Sequence, residues 1–334
     1  MGNTTPIRKR KFLPFITILI FLLIVLINGP SVLPLPQQQP PEKKIYHRVA
    51  VSAISLAVTV QNRKGKFIND LTKEDFAIYE NNKKQDITYF NQNFGANVSL
   101  TVLLDVSGSM AIQEKLTESK EMLDYLITRL LKPQDEVSLL IFADGEVEIA
   151  VNFTENKDDF VTVLDGIEAY GQTALNDAVG VSPEFANRGK YEKRALLLIT
   201  DGIENDSQYS QDQALEVARR VDIPIYTVGY KIPLSEQYLK KYKRSSTLTS
   251  TGIVISLKKF SEATGGKAFF INQAEELKEA FLEIKRVLSH QYIIGYTSYS
   301  SEKNEFRRIK VVTSKKRYKV RAREGYYSSE QVDK

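Results

Sequence analysis

Three short segments carry oxygen-bearing side chains whose types and spacing suit a hard metal ion. Asp105, Ser107 and Ser109 alternate in the sequence DVSGS, Thr173 lies in YGQTALND, and Asp201 directly follows the apolar run ALLLIT. Alternate side chains of a wrapped loop face one point, and Gly108 permits a close backbone approach. Mg²⁺ prefers oxygen ligands, accepts few carboxylates and retains water. The pattern therefore predicts a divalent-metal site formed by these five residues.

The elements around these segments predict that they meet at one edge of a sheet. Residues 98–104 and 195–200 are continuous apolar runs, as in parallel strands buried on both faces. Strand-like and helix-like patterns alternate from residue 98 to a last amphipathic helix over 273–289. This alternation predicts the α/β class, with a doubly wound, mostly parallel sheet flanked by helices. Ligands bind outside the carboxyl ends of such strands, which is where all three polar segments lie.

The segments on either side of this α/β domain have strand-like patterns. Residues 46–95 contain three short strand patterns separated by turns, and residues 290–328 contain three more. A β module of about 45 residues is too small to be stable alone. We therefore expect the two segments to pair into one small β domain, with the α/β domain (residues 96–289) inserted between them. Within the α/β domain, residues 231–255 are polar and are expected to form an irregular insertion.

The polar segments resemble the metal-ion-dependent adhesion site of the von Willebrand factor type A (vWA) family, D-x-S-x-S…T…D. That pattern is complete here, and the resemblance covers residues 96–289; the flanks resemble those of a bacterial vWA-related subgroup. It implies that Ser107 and Ser109 bind the metal directly, and that Thr173, Asp105 and Asp201 bind it directly or through water. The implied metal is Mg²⁺, with Mn²⁺ or Ca²⁺ as alternatives. The implied ligand is a protein that presents an Asp or Glu carboxylate.

Each polar residue also has a purely structural interpretation. Asp105 is a possible helix cap, Thr173 a possible N-cap and Asp201 part of an ordinary TDG turn. Asp177, near the start of the next helix, is expected to interact with the helix dipole rather than with a metal. Five such residues at one sheet edge favour the metal site over these separate interpretations.

Enzymatic chemistry is not expected. The chain has no cysteine and only two histidines, His47 and His290, which argues against zinc hydrolases and a serine–histidine triad. An aspartyl phosphohydrolase requires a second aspartate two residues after the first, where this chain has Ser107. No glycine-rich phosphate loop is present in the sequence. An envelope hydrolase using Ser109 is retained only as a less favoured alternative.

The N-terminal region predicts export. Arg8, Lys9, Arg10 and Lys11 precede sixteen uncharged residues (12–27), so residues 1–28 are expected to be a signal peptide or a membrane anchor. Residues 29–45 are proline-rich and are expected to form an extended stalk. The domains that follow are then placed in the periplasm or outside the cell. The formal net charge is +5, but this basic cluster supplies most of it.

The C-terminal segment is rich in arginine and lysine between residues 307 and 323. We expect these side chains to form a solvated face that protects an edge strand, with binding of anionic envelope material as the alternative, and we expect no nucleic-acid partner for an exported chain. The sequence thus favours a membrane-tethered domain for metal-dependent protein–protein interaction, in adhesion or envelope complex assembly. The alternative is a structural scaffold whose metal only stabilises the loops.

Overall fold

The computed structural model describes residues 50–92, 94–232, 249–300 and 304–328. Within these residues, the central feature is a six-stranded sheet in the order β10-β9-β8-β5-β6-β7. Its strands are β5 (Val98–Asp105), β6 (Glu136–Ala143), β7 (Glu146–Thr154), β8 (Lys193–Thr200), β9 (Ile225–Tyr230) and β10 (Ala268–Ile271). Five strands are parallel, and β7 pairs antiparallel with β6. The predicted α/β class is confirmed.

The strand order places a topological switch point between β5 and β8. Val102 of β5 aligns with Leu139 of β6 on one side and with Leu197 of β8 on the other. The chain leaves β5 towards β6 but leaves β8 towards β9, so the loops after β5 and β8 diverge and open a crevice. Asp105 and Asp201 flank that crevice.

Helices cover both faces of this sheet because its strands are apolar on both sides. The helices are α1 (Lys115–Tyr125), α2 (Lys157–Asp165), α3 (Leu175–Ala186), α4 (Gln211–Ala218), α5 (Ser250–Thr264) and α6 (Ala274–Ser289). On one face, α1, α2 and α6 pack against Val102 and Leu104 of β5. On the other face, α3, α4 and α5 pack against Leu103. Adjacent residues of one strand thus contribute to two separate cores.

The remaining strands form two four-stranded antiparallel sheets that share one hydrophobic cluster. One has the order β13-β1-β11-β4 and the other the order β14-β12-β2-β3. The N-terminal strands are β1 (Ala50–Gln61), β2 (Phe76–Glu80), β3 (Lys83–Gln85) and β4 (Ile87–Asn91). The C-terminal strands are β11 (Tyr292–Ser300), β12 (Phe306–Thr313), β13 (Lys319–Arg321) and β14 (Gly325–Tyr327). Each sheet therefore combines strands from both ends of the described chain.

Several local expectations were wrong. Residues 250–255, expected to be irregular, begin α5: Thr249 caps it by accepting a hydrogen bond from the Gly252 N–H at 3.0 Å, and Ile253 and Leu257 are buried at helical spacing. The remainder of that insertion, residues 233–248, lies outside the described residues. The structure also contains α2 and β14, which were not predicted. Asn156 marks the start of α2, because its side chain accepts two backbone N–H groups.

The basic C-terminal side chains do not all lie on a solvated face, contrary to expectation. Arg307 is largely buried and its guanidinium contacts the buried Glu80 carboxylate at 2.7 Å. Arg323 is buried as well, with its Nε 3.3 Å from an Asp222 carboxylate oxygen. Lys310, Lys315 and Lys319 are exposed as expected. The expectation was wrong for Arg307 and Arg323 because the alternation of residues along a strand shows which side chains share a face. It does not show which element packs against that face.

The predicted N-terminal anchor and stalk lie outside the described residues. Among the residues that are described, no helix is both long and apolar enough to cross a membrane.

Candidate metal centre

The site begins where β5 ends and the backbone turns sharply. Asp105 is fully buried, and its Oδ1 accepts the Ser107 N–H at 2.9 Å. The chain then enters a 3₁₀ segment, Gly108–Glu114, before α1 begins at Lys115. Asp105 therefore orients its own loop, and it is not the N-cap of this segment, which is Ser107.

Hydrogen bonds join the loop after β5 to the two other polar segments. The Gly108 N–H donates to the Gly171 carbonyl at 3.0 Å, and the Tyr170 N–H donates to the Val106 carbonyl at 2.8 Å. The Thr200 hydroxyl, at the end of β8, donates to Asp105 Oδ2 at 2.6 Å. These bonds bring all three segments to the carboxyl edge of the sheet.

The hydroxyl side chains of the candidate site are buried at this edge. The Ser107 and Ser109 hydroxyl oxygens lie 3.1 Å apart, which is close enough for both to face one ion. Thr173 is buried, and its carbonyl accepts the Asn205 and Asp206 N–H groups of the loop after β8. Thr173 is not an N-cap: α3 is capped by Ala174, without a side-chain bond.

Gly171 allows the loops to approach each other this closely. Gly171 has φ +68°, and a Cβ there would lie 2.2 Å from the Asp144 side chain. Asp144 in turn accepts the Gln172 N–H at 2.6 Å, which ties the β6–β7 turn to the segment that leads to Thr173. A side chain at position 171 would therefore displace this segment.

The electrostatics of the site are dominated by two buried carboxylates. Burial raises the pKa of the Asp105 carboxyl to about 7, and the negative charge of Asp201 adds to this rise. Asp201 is also fully buried; its Oδ1 accepts the Ile203 N–H at 3.1 Å. Two like charges in a water-poor site favour a bound cation.

Lys115 is a buried residue that the sequence reasoning missed. Its ammonium group donates to Asp201 Oδ2 at 2.5 Å, and its side chain is 1% exposed. A signal was present: Lys115 lies four residues before Ser119 and eight before Leu123, on the buried face of α1. Charged residues on such a face are rarely buried without a partner.

Two acidic residues near the site have structural partners. Asp177 accepts the Gln208 and Tyr209 N–H groups at 2.9 and 2.7 Å, so it fixes a loop rather than only interacting with the dipole of α3. Glu204 accepts the Asn176 N–H at 2.9 Å and the Ser207 hydroxyl at 2.7 Å. Neither carboxylate is needed as a metal ligand.

The donor set fits a hard divalent cation. Two carboxylates and three hydroxyls provide oxygen ligands of the type that Mg²⁺ uses, and few carboxylates leave positions for water or for a ligand. No cluster of three or more histidine, aspartate or glutamate side chains suited to a metal occurs within the described parts of the chain. Any metal at this edge would thus depend on the serine and threonine hydroxyls.

The fold is a doubly wound sheet with three polar loops at its switch point. A family model also matches this part of the chain. Residues 100–204 match the family model of the von Willebrand factor type A domain. The matched region runs from β5 to the loop after β8, and it includes all five candidate residues. The match is limited to this part of the chain.

Individual relatives are distant. The chain is 24% identical over 238 residues to an uncharacterised protein of Borreliella burgdorferi, covering 67% of this chain and 64% of the relative. It is 22% identical over 214 residues to a UPF0353 protein of Mycolicibacterium gilvum, covering 59% and 62%. The alignments thus span less than two thirds of either relative. Among solved structures, BatB of Bacteroides thetaiotaomicron matches with a TM-score of 0.44 and 21% identity, covering 57% of this chain and 98% of that one.

Proposed function

We propose that this chain is a metal-dependent protein-binding module of the cell envelope. Asp105, Ser107, Ser109, Thr173 and Asp201 hold Mg²⁺, and a carboxylate of the partner completes its coordination. The observation that carries this proposal is the set of hydrogen bonds that joins the three loops carrying these five buried residues. The charge of a bound cation, incompletely neutralised in a partly dry crevice, strengthens its contact with an anionic ligand.

The surface around the crevice supports recognition of a partner. Tyr170 and Gln172 are exposed beside the buried Thr173, and Tyr170 is one of the large apolar side chains that face solvent. Tyrosine is enriched where proteins bind each other, because it offers a large apolar area with few rotatable bonds. A partner that reaches the metal would therefore contact Tyr170 as well.

Binding is proposed in preference to catalysis because no histidine accompanies the serines. His290 stacks on Phe67 with ring centroids 4.7 Å apart, and its Nδ1 lies 2.6 Å from the Arg286 carbonyl. The imidazole of His290 is therefore held at the end of α6 by these two contacts. His47 lies outside the described residues. Ser107 and Ser109 thus have no imidazole base within the described structure.

The test uses the full-length chain, in detergent, with three variants. Asp105→Ala and Thr173→Ala remove proposed ligands, whereas Asp165→Ala removes an exposed carboxylate on α2 and serves as the matched control. Mn²⁺ binding is measured by electron paramagnetic resonance, and partner capture from an envelope extract is measured with Mg²⁺ and with chelator. We expect both ligand variants to lose Mn²⁺ binding and capture, and the control to retain them.

The outcomes separate the candidate functions. Capture that persists in chelator while the melting temperature falls would favour the structural scaffold. Hydrolysis of an envelope substrate, lost in Ser109→Ala and independent of a partner, would favour the hydrolase. Absence of Mn²⁺ binding by the wild-type chain would overturn the metal-dependent proposal itself.

We further propose that residues 1–28 export the chain and tether it, so that the domains face the periplasm or the exterior. The basic cluster followed by sixteen uncharged residues supports this orientation. Protease treatment of spheroplasts should degrade the domains while the cytoplasm stays protected. Full protection of the domains would contradict the proposal.

A further inference from the structure

Lys115 occupies a position that is unfavourable for a lysine in two respects. Its ammonium group is removed from solvent, with a side-chain exposure of 1%. It is the first residue of α1, where the helix dipole disfavours positive charge. Two residues in the left-handed region, Gln113 and Glu114 (both φ 56°), precede it and turn the backbone into the helix. Backbone strain of this kind persists where the surrounding structure requires it, often at functional sites.

The contact with Asp201 compensates for this unfavourable position. The Lys115 ammonium lies 2.5 Å from Asp201 Oδ2, while Asp201 Oδ1 accepts the Ile203 N–H. Asp201 is one of the proposed metal ligands, so the lysine approaches the very carboxylate that a cation would share. The site therefore contains a positive charge of its own.

Asp105, Asp201 and Lys115 contribute opposing charges to the site. Asp105 and Asp201 carry two negative charges when ionised, and Lys115 carries one positive charge. A divalent cation therefore leaves these groups with an excess of one positive charge, whereas without Lys115 they would be neutral. An excess charge in a low-dielectric crevice weakens the binding of the metal and strengthens the binding of an anion to it.

We propose that Lys115 is a tethered counter-ion that tunes the metal site. Resting on the metal-dependent function proposed above, it stabilises Asp201 when the metal is absent, and it makes the metal-bound site selective for anionic carboxylate ligands. The positive charge of Lys115 lowers the affinity for the metal ion because it repels the cation. The same charge raises the affinity of the metal-bound site for an anionic ligand.

The test compares Lys115→Met and Lys115→Gln, which remove the charge, with Lys115→Arg, which keeps it. Lys193→Met is the matched control: Lys193 is a buried lysine at the start of β8, whereas Asp201 follows the opposite end of that strand. Mn²⁺ affinity of the full-length chains is measured by electron paramagnetic resonance. We expect about tenfold tighter binding in both charge-removing variants, about 1.4 kcal/mol. Lys115→Arg and Lys193→Met should bind as the wild type does.

A second measurement addresses ligand selectivity. Acetate is titrated into the Mn²⁺-loaded chains, and displacement of metal-bound water is followed by proton relaxation. We expect acetate to bind Lys115→Met at least about threefold more weakly than wild type. Acetamide, which is neutral, should not distinguish the two. Equal acetate affinities would overturn the selectivity half of the proposal.

The possible results separate this inference from the proposed function. If Lys115→Met and Lys115→Gln bind Mn²⁺ no more tightly than wild type, the counter-ion role is wrong even though the metal site stands. If only the charge-removing variants bind Mn²⁺, the counter-ion role is supported and the metal-dependent function of the wild type fails. A variant that unfolds without metal is refolded with Mn²⁺: recovery of the fold supports the proposal, and no recovery overturns it.

Discussion

Removal of Glu80 should destabilise the β domain that the two ends of the described chain form together. Glu80 lies on β2, is 5% exposed, and accepts hydrogen bonds from four side chains. The donors are Tyr296 (2.7 Å), Ser298 (2.8 Å), Arg307 (2.7 Å) and Tyr326 (2.9 Å), all from C-terminal strands. The carboxylate thus links the N-terminal segment to β11, β12 and β14.

The magnitude follows from these contacts. Each hydrogen bond to a charged group contributes about 1.5–3 kcal/mol, but burying the carboxylate offsets several kcal/mol. Truncation in Glu80→Ala also leaves the Arg307 guanidinium buried without this counter-charge. We therefore expect the free energy of unfolding to fall by about 3–5 kcal/mol in Glu80→Ala, and by about 2–3 kcal/mol in the isosteric Glu80→Gln.

Urea unfolding followed by circular dichroism measures this effect, with Glu305→Gln as the control. Glu305 also pairs with Arg307, at 3.0 Å, but its side chain is 37% exposed, so its loss should cost less than about 1 kcal/mol. A loss in Glu80→Ala no greater than that in Glu305→Gln would refute the reasoning. It would mean that the buried network does not hold the two segments together.

The pH dependence of the stability difference between wild type and Glu80→Gln tests whether the Glu80 carboxylate stabilises the fold in its charged form. Burial alone raises the pKa of Glu80, but hydrogen bonds from Tyr296, Arg307, Ser298 and Tyr326 outweigh burial and hold the pKa below its ordinary value of 4.5. A carboxyl whose pKa is lowered on folding stabilises the fold above its unfolded pKa and loses that contribution as pH falls through the folded value. The difference in stability between wild type and Glu80→Gln should therefore be constant from about pH 8 to 5 and shrink below about pH 4.5.

Three further predictions concern the α/β domain. Burial, reinforced by the charge of Lys132, lowers the pKa of Lys193 to about 8. Lys193→Met should therefore raise the free energy of unfolding by about 1–2 kcal/mol at pH 7. A gain in stability that does not shrink between pH 8 and 10.5 would show that the buried charge of Lys193 is not its cause. Gly171→Ala should weaken Mn²⁺ binding about tenfold in a resonance titration, because its Cβ would meet Asp144 at 2.2 Å; unchanged affinity would show that the loop adapts. Phe281→Ala, on the buried face of α6, should cost about 3–5 kcal/mol in urea unfolding, and a loss under about 1 kcal/mol would contradict the packing of that helix.

The sequence determined the sheet and the position of its polar loops because both depend on local patterns. The apolar runs of β5 and β8 are almost entirely buried, as is typical of central parallel strands. Residues that follow such strands must lie at the carboxyl edge, so Asp105 and Asp201 could be placed there without knowledge of their neighbours. The amphipathic spacing of α6 was equally local, with Leu277, Phe281 and Ile284 buried as expected.

Tertiary structure alone decided which charged groups meet. Lys115 directly follows the kink at residues 112–114 and contacts Asp201, and Arg307 reaches Glu80 because β12 pairs with β2. Residues separated by 86 positions in one case and 227 in the other leave no periodic signal in the sequence. Periodicity reports whether a side chain faces the core, whereas the partner of a buried charge depends on which elements pack together. The residues of the proposed metal site could therefore be located from the sequence, but the contact of Lys115 with Asp201 emerged only from the fold.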